Sequence, residues 1–238
     1  MIESDVLIEV VASTVQSCMQ AQAGGAARIE LCSALGAAGI TPSSGLLEVV
    51  KRHVRIPIYV MIRPREGNFT YSHSEVEVMM REIDMLGASG ADGFVFGALQ
   101  DDSTIDIALT KALVRHCSGA PVTFHRAIDC TPNLLQAVEE IAACGCERIL
   151  TSGGKSNCAE GIENILAMVE KAANHISIMP GGGIRPENFA AIFHPSIHEY
   201  HMSGRSLLKS PMQSDLFEMD WSETTREAIA RVVAMSVR

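Results

Sequence analysis

Charged side chains that could bind anions or transfer protons recur in this sequence where short apolar runs end. Arginine binds carboxylates and phosphates in a two-pronged geometry, and histidine or glutamate can act as general acid or base. The pattern predicts a site for a small anionic or phosphorylated molecule, with His125 or a carboxylate transferring the proton. A binding protein without catalysis is an open alternative. The candidate residues are Glu30, Arg63, His125, Arg126 and His201.

Glycine-rich turns form a second pattern. Three such turns follow three successive apolar runs late in the chain. Backbone N–H groups in turns of this kind can hold an anion, and the loops after the last two strands of a barrel often bind phosphate. The alternative is that the glycines only allow tight turns. The predicted anion site consists of Ser152, Gly153, Gly181, Gly182, Gly183, Ser203 and Gly204.

Cysteine offers a third kind of chemistry. Of the seven cysteines, Cys32 is the best placed, at the end of an apolar run. Soft thiolates suit Cu(I), so Cys32 is a candidate metal ligand; a pocket-lining thiol and a packed core residue are equal alternatives. Cys144 and Cys146 precede an apolar run, and we interpret them as small residues at a crowded turn. Unpaired thiols without an export signal favour a cytoplasmic protein.

Eight short β-rich runs could position these residues. Helical patterns separate them, and repeated alternation of strand and helix predicts a parallel sheet. Eight units in 238 residues predict one α/β domain over 1–238, a single (β/α)8 TIM barrel with parallel strands. The alternative is an open doubly wound sheet, but its glycine fingerprint does not follow the first strand. The predicted strands are Val6–Val11, Arg28–Cys32, Ile58–Ile62, Gly93–Phe96, Val122–His125, Arg148–Thr151, Ile176–Met179 and Glu199–Met202.

Alternation along the strands predicts which side chains point into the barrel, because residues two apart share a face. Buried charges need partners, so we expect Glu9 and Glu30 to balance Arg28 and Arg63. Two roles stay open for Arg63: it neutralises these carboxylates, or it holds the anion of a ligand. The polar residues predicted to lie inside are Glu9, Arg28, Glu30, Arg63, His125 and His201.

Local signals mark the ends of several helices. Ser72 and Glu75 have the spacing of a capping box, in which each side chain accepts from the backbone of the other residue. Thr41 and Thr131 each precede a proline and predict N-caps. The segment after the eighth strand is polar and irregular, and Thr224–Val237 then reads as a closing helix.

Composition limits the possible partners. The net charge is −9, and no cluster of lysine and arginine offsets it, which argues against nucleic acid because phosphate neutralisation needs a basic surface. No apolar run approaches the ~18 residues that a membrane span requires. The first residues, Met1–Asp5, lack the basic start of a signal peptide. We expect no partner of either class.

Six motifs together resemble the CutC family of copper homeostasis proteins. They keep their order from the second predicted strand to the seventh and, with the flanking strands, cover nearly the whole chain. The resemblance implies a cytoplasmic barrel, often a homodimer, for which copper binding is proposed. The motifs are Arg28-Ile29-Glu30-Leu31-Cys32-Ser33, Gly39-Ile40-Thr41-Pro42-Ser43, Met61-Ile62-Arg63-Pro64-Arg65, Thr123-Phe124-His125-Arg126-Ala127, Arg148-Ile149-Leu150-Thr151-Ser152-Gly153 and Met179-Pro180-Gly181-Gly182-Gly183-Ile184.

One departure from the family pattern concerns copper. Many members read Glu-Val-Cys at the end of the first strand, and that cysteine is the proposed partner of the second-strand cysteine in holding Cu(I). Here the strand reads Glu9-Val10-Val11, while Cys32 is retained. The resemblance therefore implies copper(I) binding with Cys32 as its one cysteine ligand, because Val11 cannot supply a second.

Overall fold

The eight strands predicted by the sequence form one parallel sheet. The structure, a computed structural model, describes residues 6–210 and 221–237. The strands are Leu7–Ala12 (β1), Arg28–Leu31 (β2), Ile58–Met61 (β3), Gly93–Phe96 (β4), Val122–Phe124 (β5), Arg148–Thr151 (β6), Ser177–Pro180 (β7) and Glu199–Met202 (β8). Their order is β7-β6-β5-β4-β3-β2-β1-β8, and β7 lies beside β8. The predicted (β/α)8 barrel with parallel strands is confirmed.

Helices cover the outside of the barrel. They are Val15–Ala23 (α1), Ser44–His53 (α2), His73–Ala88 (α3), Ile107–His116 (α4), Leu134–Ala143 (α5), Ile162–Ala172 (α6), Phe189–Ile192 (α7) and Arg226–Ser236 (α8). The predicted capping box at the start of α3 is confirmed. The backbone N–H of Ser72 donates to Glu75 at 2.7 Å, and the N–H of Glu75 donates to the Ser72 hydroxyl at 3.4 Å.

Two predicted helix starts are wrong. The N-caps of α2 and α5 are Ser43 and Asn133, each two residues beyond the threonine predicted for the role. The hydroxyl of Thr41 instead accepts from the N–H of Arg63 at 2.9 Å. The hydroxyl of Thr131 donates to the carbonyl of Ile128 at 2.8 Å. The Thr-Pro motif assigns both hydroxyl groups to helix capping. They form other contacts instead, one with Arg63 and one within a turn.

A hairpin follows the barrel where the sequence predicts an irregular segment. Arg205–Leu208 (β9) and Trp221–Thr224 (β10) pair antiparallel, and residues 211–220 lie outside the described part. Both strands are short; β9 is largely exposed and β10 is only partly buried, so no apolar alternation marks them. Because Thr224 belongs to β10, the closing helix α8 begins at Arg226 rather than at Thr224.

The main core lies between the sheet and the helices. Outward-facing strand residues such as Ile29, Val60 and Phe124 are fully buried there, as alternation requires. The barrel interior is filled differently. Charged side chains occupy the end where the strands begin, and above them lies a small apolar cluster of Val11, Cys32, Tyr59, Met61 and Val95. Above this filling, the carboxyl ends of the strands border an open space.

Candidate functional site

A cavity of about 440 Å³ opens at the carboxyl ends of the strands. The five residues predicted for acid–base work and anion binding all line it, as do Gly182, Gly183 and Ser203 of the predicted anion site. Loops after several different strands therefore converge on one space. The other lining residues are Val11, Leu35, Ala38, Met61, Phe69, Asp129, Cys130, Leu150, Ile184, Met202 and Arg205.

A buried ion-pair network lies below the cavity. Arg28 donates to Glu9 and, at 2.6 Å, to Glu199. Arg148 also donates to Glu199. The ring of Tyr59 stacks against both guanidinium groups, at 4.9 Å from Arg28 and 5.5 Å from Arg148. The expected pairing of Arg28 with Glu9 is present, and Glu199 and Arg148 extend it.

Glu9 links this network to the cavity through His201. Burial raises the pKa of Glu9, but Arg28 and His201 outweigh it and lower that pKa to about 2. Burial lowers the pKa of His201, but the charge of Glu30 and the bond to Glu9 outweigh it and raise that pKa. Because ionised Glu9 can only accept, Nδ1 of His201 carries the proton of their 2.7 Å hydrogen bond.

Glu30 stands beside His201 with one oxygen unpaired. Its side chain is 3% exposed, and Oε2 is buried without a hydrogen-bond partner among the described residues. Burial raises the pKa of Glu30 to about 7 against the opposing charge of His201. An unpaired buried carboxylate is costly, so Glu30 holds its proton into the neutral range and is poised to gain or lose it.

His125 is a neutral imidazole on the cavity wall. Burial and the charge of Arg63 lower its pKa to about 3. Nδ1 accepts from the N–H of Ala127 at 3.3 Å, so the ring proton lies on Nε2, which has no partner among the described residues. Phe69 packs on the ring at 4.9 Å. His125 thus offers the cavity a hydrogen-bond donor. The nearby carboxylate of Asp129 is not its partner, because it accepts hydrogen bonds from the turn after β6.

Arg63 pairs with no carboxylate among the described residues, so its expected pairing with Glu9 or Glu30 is wrong. Its guanidinium donates to three backbone carbonyls instead: Ala37 at 2.8 Å, Gly39 at 2.9 Å and Gly67 at 2.8 Å. These carbonyls belong to the loops after β2 and β3. Arg63 therefore joins two loops at the cavity mouth, and its charge remains on the wall.

The carboxylate of Asp129 occupies part of the predicted anion site. It accepts from the N–H groups of Ser152 and Gly154, each at 3.0 Å, and from the hydroxyl groups of Thr151 and Ser152 at 2.5 and 2.8 Å. Arg126 donates to it through Nε at 2.9 Å. The turn after β6 is thus an anion nest, as its composition suggests, but its anion is a side chain of the protein.

The N–H of Gly153 donates to the Thr151 hydroxyl at 2.9 Å. The N–H of Gly181 donates to the Thr151 carbonyl at 2.8 Å. Gly204 lies over Ile229, outside the cavity lining. Ser152, Gly153, Gly181 and Gly204 therefore support the walls, whereas the turn after β7 is open to a ligand.

The turn after β7 carries the open donors. Gly182 and Gly183 have positive φ, 92° and 85°, and their N–H groups have no acceptor among the described residues. Arg126 lies beside this turn, since a Cβ on Gly182 would stand 3.2 Å from its Nη1. That Nη1 donates to no described group. Only glycine combines the positive φ with room for this guanidinium.

Cys32 is fully buried and is not among the residues that line the cavity. Its Sγ and the Cε of Met61 both lie beside Gly39, 3.3 and 3.5 Å from where a Cβ would stand on that glycine. Val11 belongs to the same cluster. Burial, with a contribution from Glu30, raises the pKa of the Cys32 thiol. The site offers one thiol and one thioether of the soft type that Cu(I) prefers.

Harder donors gather one layer lower. Glu9, Glu30 and His201 place one donor atom each within 4.8 Å of one another. Carboxylate and imidazole ligands suit divalent ions rather than Cu(I). Both oxygens of Glu9 already accept, from Arg28 and His201. The cluster is therefore satisfied at Glu9 and open at Glu30.

Several lining residues are missing from the sequence-based set. Arg205 enters from the hairpin, Phe69 from the loop after β3, and Asp129 from the short 3-10 turn after β5. Asp129 lies four residues after the end of a predicted strand. This position, in a loop that follows a strand, is the sequence signal that indicates it. No sequence signal distinguishes Phe69 or Arg205.

Comparison with known proteins places the fold and the motifs in one family. The model of the CutC family matches residues 6–206. The chain belongs to the CutC family. The resemblance inferred from the six motifs is confirmed. A CutC protein is 47% identical over 208 residues in Homo sapiens, where it is named copper homeostasis protein cutC homolog; the match covers 87% of this chain and 76% of that one.

Other CutC proteins agree. A CutC family protein of Xanthomonas axonopodis pv. citri is 44% identical over 208 residues, 87% of each chain. A crystal structure of a CutC copper homeostasis protein from Streptococcus agalactiae has a TM-score of 0.78 and 32% identity, covering 82% of this chain and 97% of that one. The names associate the family with copper homeostasis. None of the described helices is both long and apolar enough to cross a membrane.

Proposed function

We propose that this CutC protein binds a small anionic molecule at the mouth of its barrel. One observation carries the proposal: donors without acceptors among the described residues converge there. They are Nη1 of Arg126 and the N–H groups of Gly182 and Gly183. A guanidinium and two adjacent backbone N–H groups form the donor set that binds phosphate and carboxylate oxygens.

The charge of the cavity wall supports an anion. Arg205 lines the cavity and forms no salt bridge with a described residue. Among the described residues, the guanidinium of Arg63 contacts neutral groups, three carbonyls and the ring of Phe69, so its charge is uncompensated locally. Asp129 is already matched by Arg126 and four other donor contacts. Clefts lined by one sign of charge concentrate ligands of the opposite sign.

Inorganic phosphate is a suitable probe of this site. For a Kd of about 1 mM, phosphate at about 50 mM should stabilise the native state by roughly 2 kcal/mol through mass action. We expect this increase in the free energy of unfolding for the parent and its loss in Arg126→Gln. Arg115→Gln is the matched control, because Arg115 lies exposed in the last turn of α4, at the other end of the barrel. Equal stabilisation of all three proteins would contradict the site.

A second candidate function is Cu(I) binding at Cys32. The observation that favours it is that the Cys32 thiol and the methyl end of Met61 both lie beside Gly39, in one apolar cluster, in a family named for copper homeostasis. Cu(I) would be the cargo of this site. Val11 contributes only methyl groups, so the expected affinity is that of a single thiolate with thioether assistance.

Titration of the reduced protein with Cu(I) against a competing chelator tests this second function. We expect Cys32→Ser to lose the bound ion and Met61→Leu to weaken it. Cys130→Ser is the control, since Cys130 is an exposed free cysteine that also lines the cavity. If Cys32→Ser binds Cu(I) as tightly as the parent, the site is not at Cys32.

We also propose a cytoplasmic homodimer. All seven cysteines are free, which suits a reducing compartment. The dimer rests on the family resemblance, and sedimentation of the purified chain tests it. A single species of 25.6 kDa at micromolar concentration would exclude the dimer.

A further inference from the structure

The floor of the anion cavity contains two groups suited to proton transfer. Oε2 of Glu30 is buried and has no described partner, and Nε2 of His201 forms no hydrogen bond with a described residue. Both residues line the cavity. One oxygen of Glu30 and one ring nitrogen of His201 lie within 4.8 Å of each other, so the two side chains are close enough for one small molecule to contact both.

The charges below the cavity balance without these two groups. The carboxylates of Glu9 and Glu199 are matched by the guanidinium groups of Arg28 and Arg148. Glu30 and His201 are thus left as a pair facing the cavity. Among the described residues of the cavity floor, the proton shared by Glu30 and His201 is the one charge that can move. A ligand bound above this pair is within reach of that proton.

We propose that Glu30 and His201 are catalytic residues that move a proton on the carbon next to a carbonyl group, in a small carbonyl compound with a phosphate or carboxylate anchor. The inference rests on the anion site proposed above, because Arg126, Gly182 and Gly183 hold the anchor. It names the substrate class of that site and assigns it a reaction.

The step balances without a further reactant. The Glu30 carboxylate removes the proton from the carbon, breaking the C–H bond and becoming a carboxylic acid. The electron pair moves into a C=C bond as the carbonyl becomes an enolate oxygen, stabilised by the N–H at Nε2 of His201. Glu30 then returns the proton to the same carbon. Where that carbon bears a hydroxyl group, transfer of the hydroxyl proton to the enolate oxygen lets Glu30 deliver its proton to the former carbonyl carbon instead, which isomerises the substrate.

The proposed step needs no covalent intermediate. Lysine, which forms Schiff bases with carbonyl substrates, is not among the described lining residues. One exposed cysteine, Cys130, does line the cavity, and Cys32 is fully buried outside the lining. Acid–base chemistry by Glu30 and His201 uses none of these groups.

Exchange of carbon-bound hydrogen for deuterium, followed by proton NMR in D2O, tests the proposal. The probes are dihydroxyacetone phosphate, ribulose 5-phosphate and pyruvate. We expect the parent to exchange at least one of them ten or more times faster than Glu30→Gln prepared identically. His201→Gln should lower kcat with little change in KM. Glu82→Gln is the control, because Glu82 is a half-buried carboxyl group bonded to Thr41 outside the cavity lining.

Binding must be measured beside exchange. Glu30→Gln should fold, since it replaces an oxygen that has no partner, and it should still be stabilised by the probes. Binding of the probes without exchange, or equal exchange by the parent and Glu30→Gln, would overturn the catalytic inference and leave the anion site standing. Failure of phosphate and of every probe to bind would overturn both.

Discussion

His201 is oriented by Glu9, whose Oε1 lies 2.7 Å from Nδ1 of the imidazole. Because Oε2 of Glu9 accepts from Arg28, this carboxylate is held from two sides and cannot turn away. A carboxylate that accepts a hydrogen bond from one imidazole nitrogen fixes the orientation of the ring, and with it the direction in which the other nitrogen points. The buried network thus positions Nε2 of His201 for a ligand in the cavity.

Glu9→Gln should destabilise the protein by about 3–5 kcal/mol, because it leaves the buried charge of Arg28 short of one partner. Urea unfolding near pH 7 measures the change. Glu187→Gln is the control, since Glu187 pairs with Arg231 on the exposed surface at 3.0 Å and its loss should have no measurable effect. Equal stabilities of Glu9→Gln and the parent would show that the network does not support the fold.

Glu30→Gln should be more stable than the parent at pH 8. The pKa of Glu30 is about 7 in the folded protein, above the ordinary 4.5, so the folded state binds this proton more tightly and Glu30 makes stability fall as pH rises from about 4.5 to 7. Since one pKa unit equals about 1.4 kcal/mol, the advantage of glutamine should approach ~3 kcal/mol at pH 8 and vanish near pH 4.5. Urea unfolding across this range measures the difference; an advantage that does not change with pH would contradict it.

Gly182→Ala should abolish stabilisation by phosphate. A Cβ there would strain a backbone with φ of 92° and approach the Arg126 guanidinium to 3.2 Å. Gly36→Ala is a fair control, because a Cβ on Gly36 meets no atom within 4 Å. Thermal unfolding with and without phosphate compares the variants. Full stabilisation of Gly182→Ala would place the anion away from this turn.

Arg63→Ala should lower stability while keeping part of the phosphate effect. The variant loses three bonds to loop carbonyls, and we expect a cost of roughly 2–4 kcal/mol, given about 1.5–3 kcal/mol for a single hydrogen bond from a charged group and incomplete additivity. Arg126 and the Gly182 turn remain. Urea unfolding with added phosphate tests both parts. Complete loss of the phosphate effect with unchanged stability would make Arg63 the principal anion ligand.

Cys146→Ala should change stability and leave anion binding intact. Cys146 is buried in the turn that enters β6, at the end of the barrel opposite the cavity. Removing a buried sulfur leaves a small void, which costs stability without touching the ligand. Phosphate titration followed by urea unfolding separates the two effects. Weaker phosphate binding at unchanged stability would contradict the division of roles between the two barrel ends.

The sequence could predict the barrel and much of its polar interior. Glu9, Arg28, Glu30 and His201 lie on strands, where alternation decides which face a side chain takes and parallel packing brings the faces together. Arg148 is the first residue of β6, as Arg28 is of β2, and its side chain joins the same ion-pair network. Its partner Glu199, however, is distant in sequence. Pairing across the barrel depends on register and packing, which a single sequence does not state.

The loops were less predictable, for physical reasons. Arg63 follows the last residue of β3, so alternation no longer governs it, and its partners are backbone carbonyls that leave no trace in side-chain chemistry. Asp129 binds the nest formed by Ser152 and Gly154 only because two loops meet in space. The glycine pattern after β6 indicates a turn that can hold an anion, but it does not reveal that a side chain of the protein itself, Asp129, takes that place.

The central claim, an anion site formed by Arg126, Gly182 and Gly183, is tested most directly by a crystal structure of the protein grown with phosphate or sulfate. We predict an ion at the barrel mouth, with oxygens within hydrogen-bond distance of Nη1 of Arg126 and the N–H groups of Gly182 and Gly183. Ordered water at these three donors, in crystals containing the ion at a concentration that saturates its effect on stability, would contradict the account.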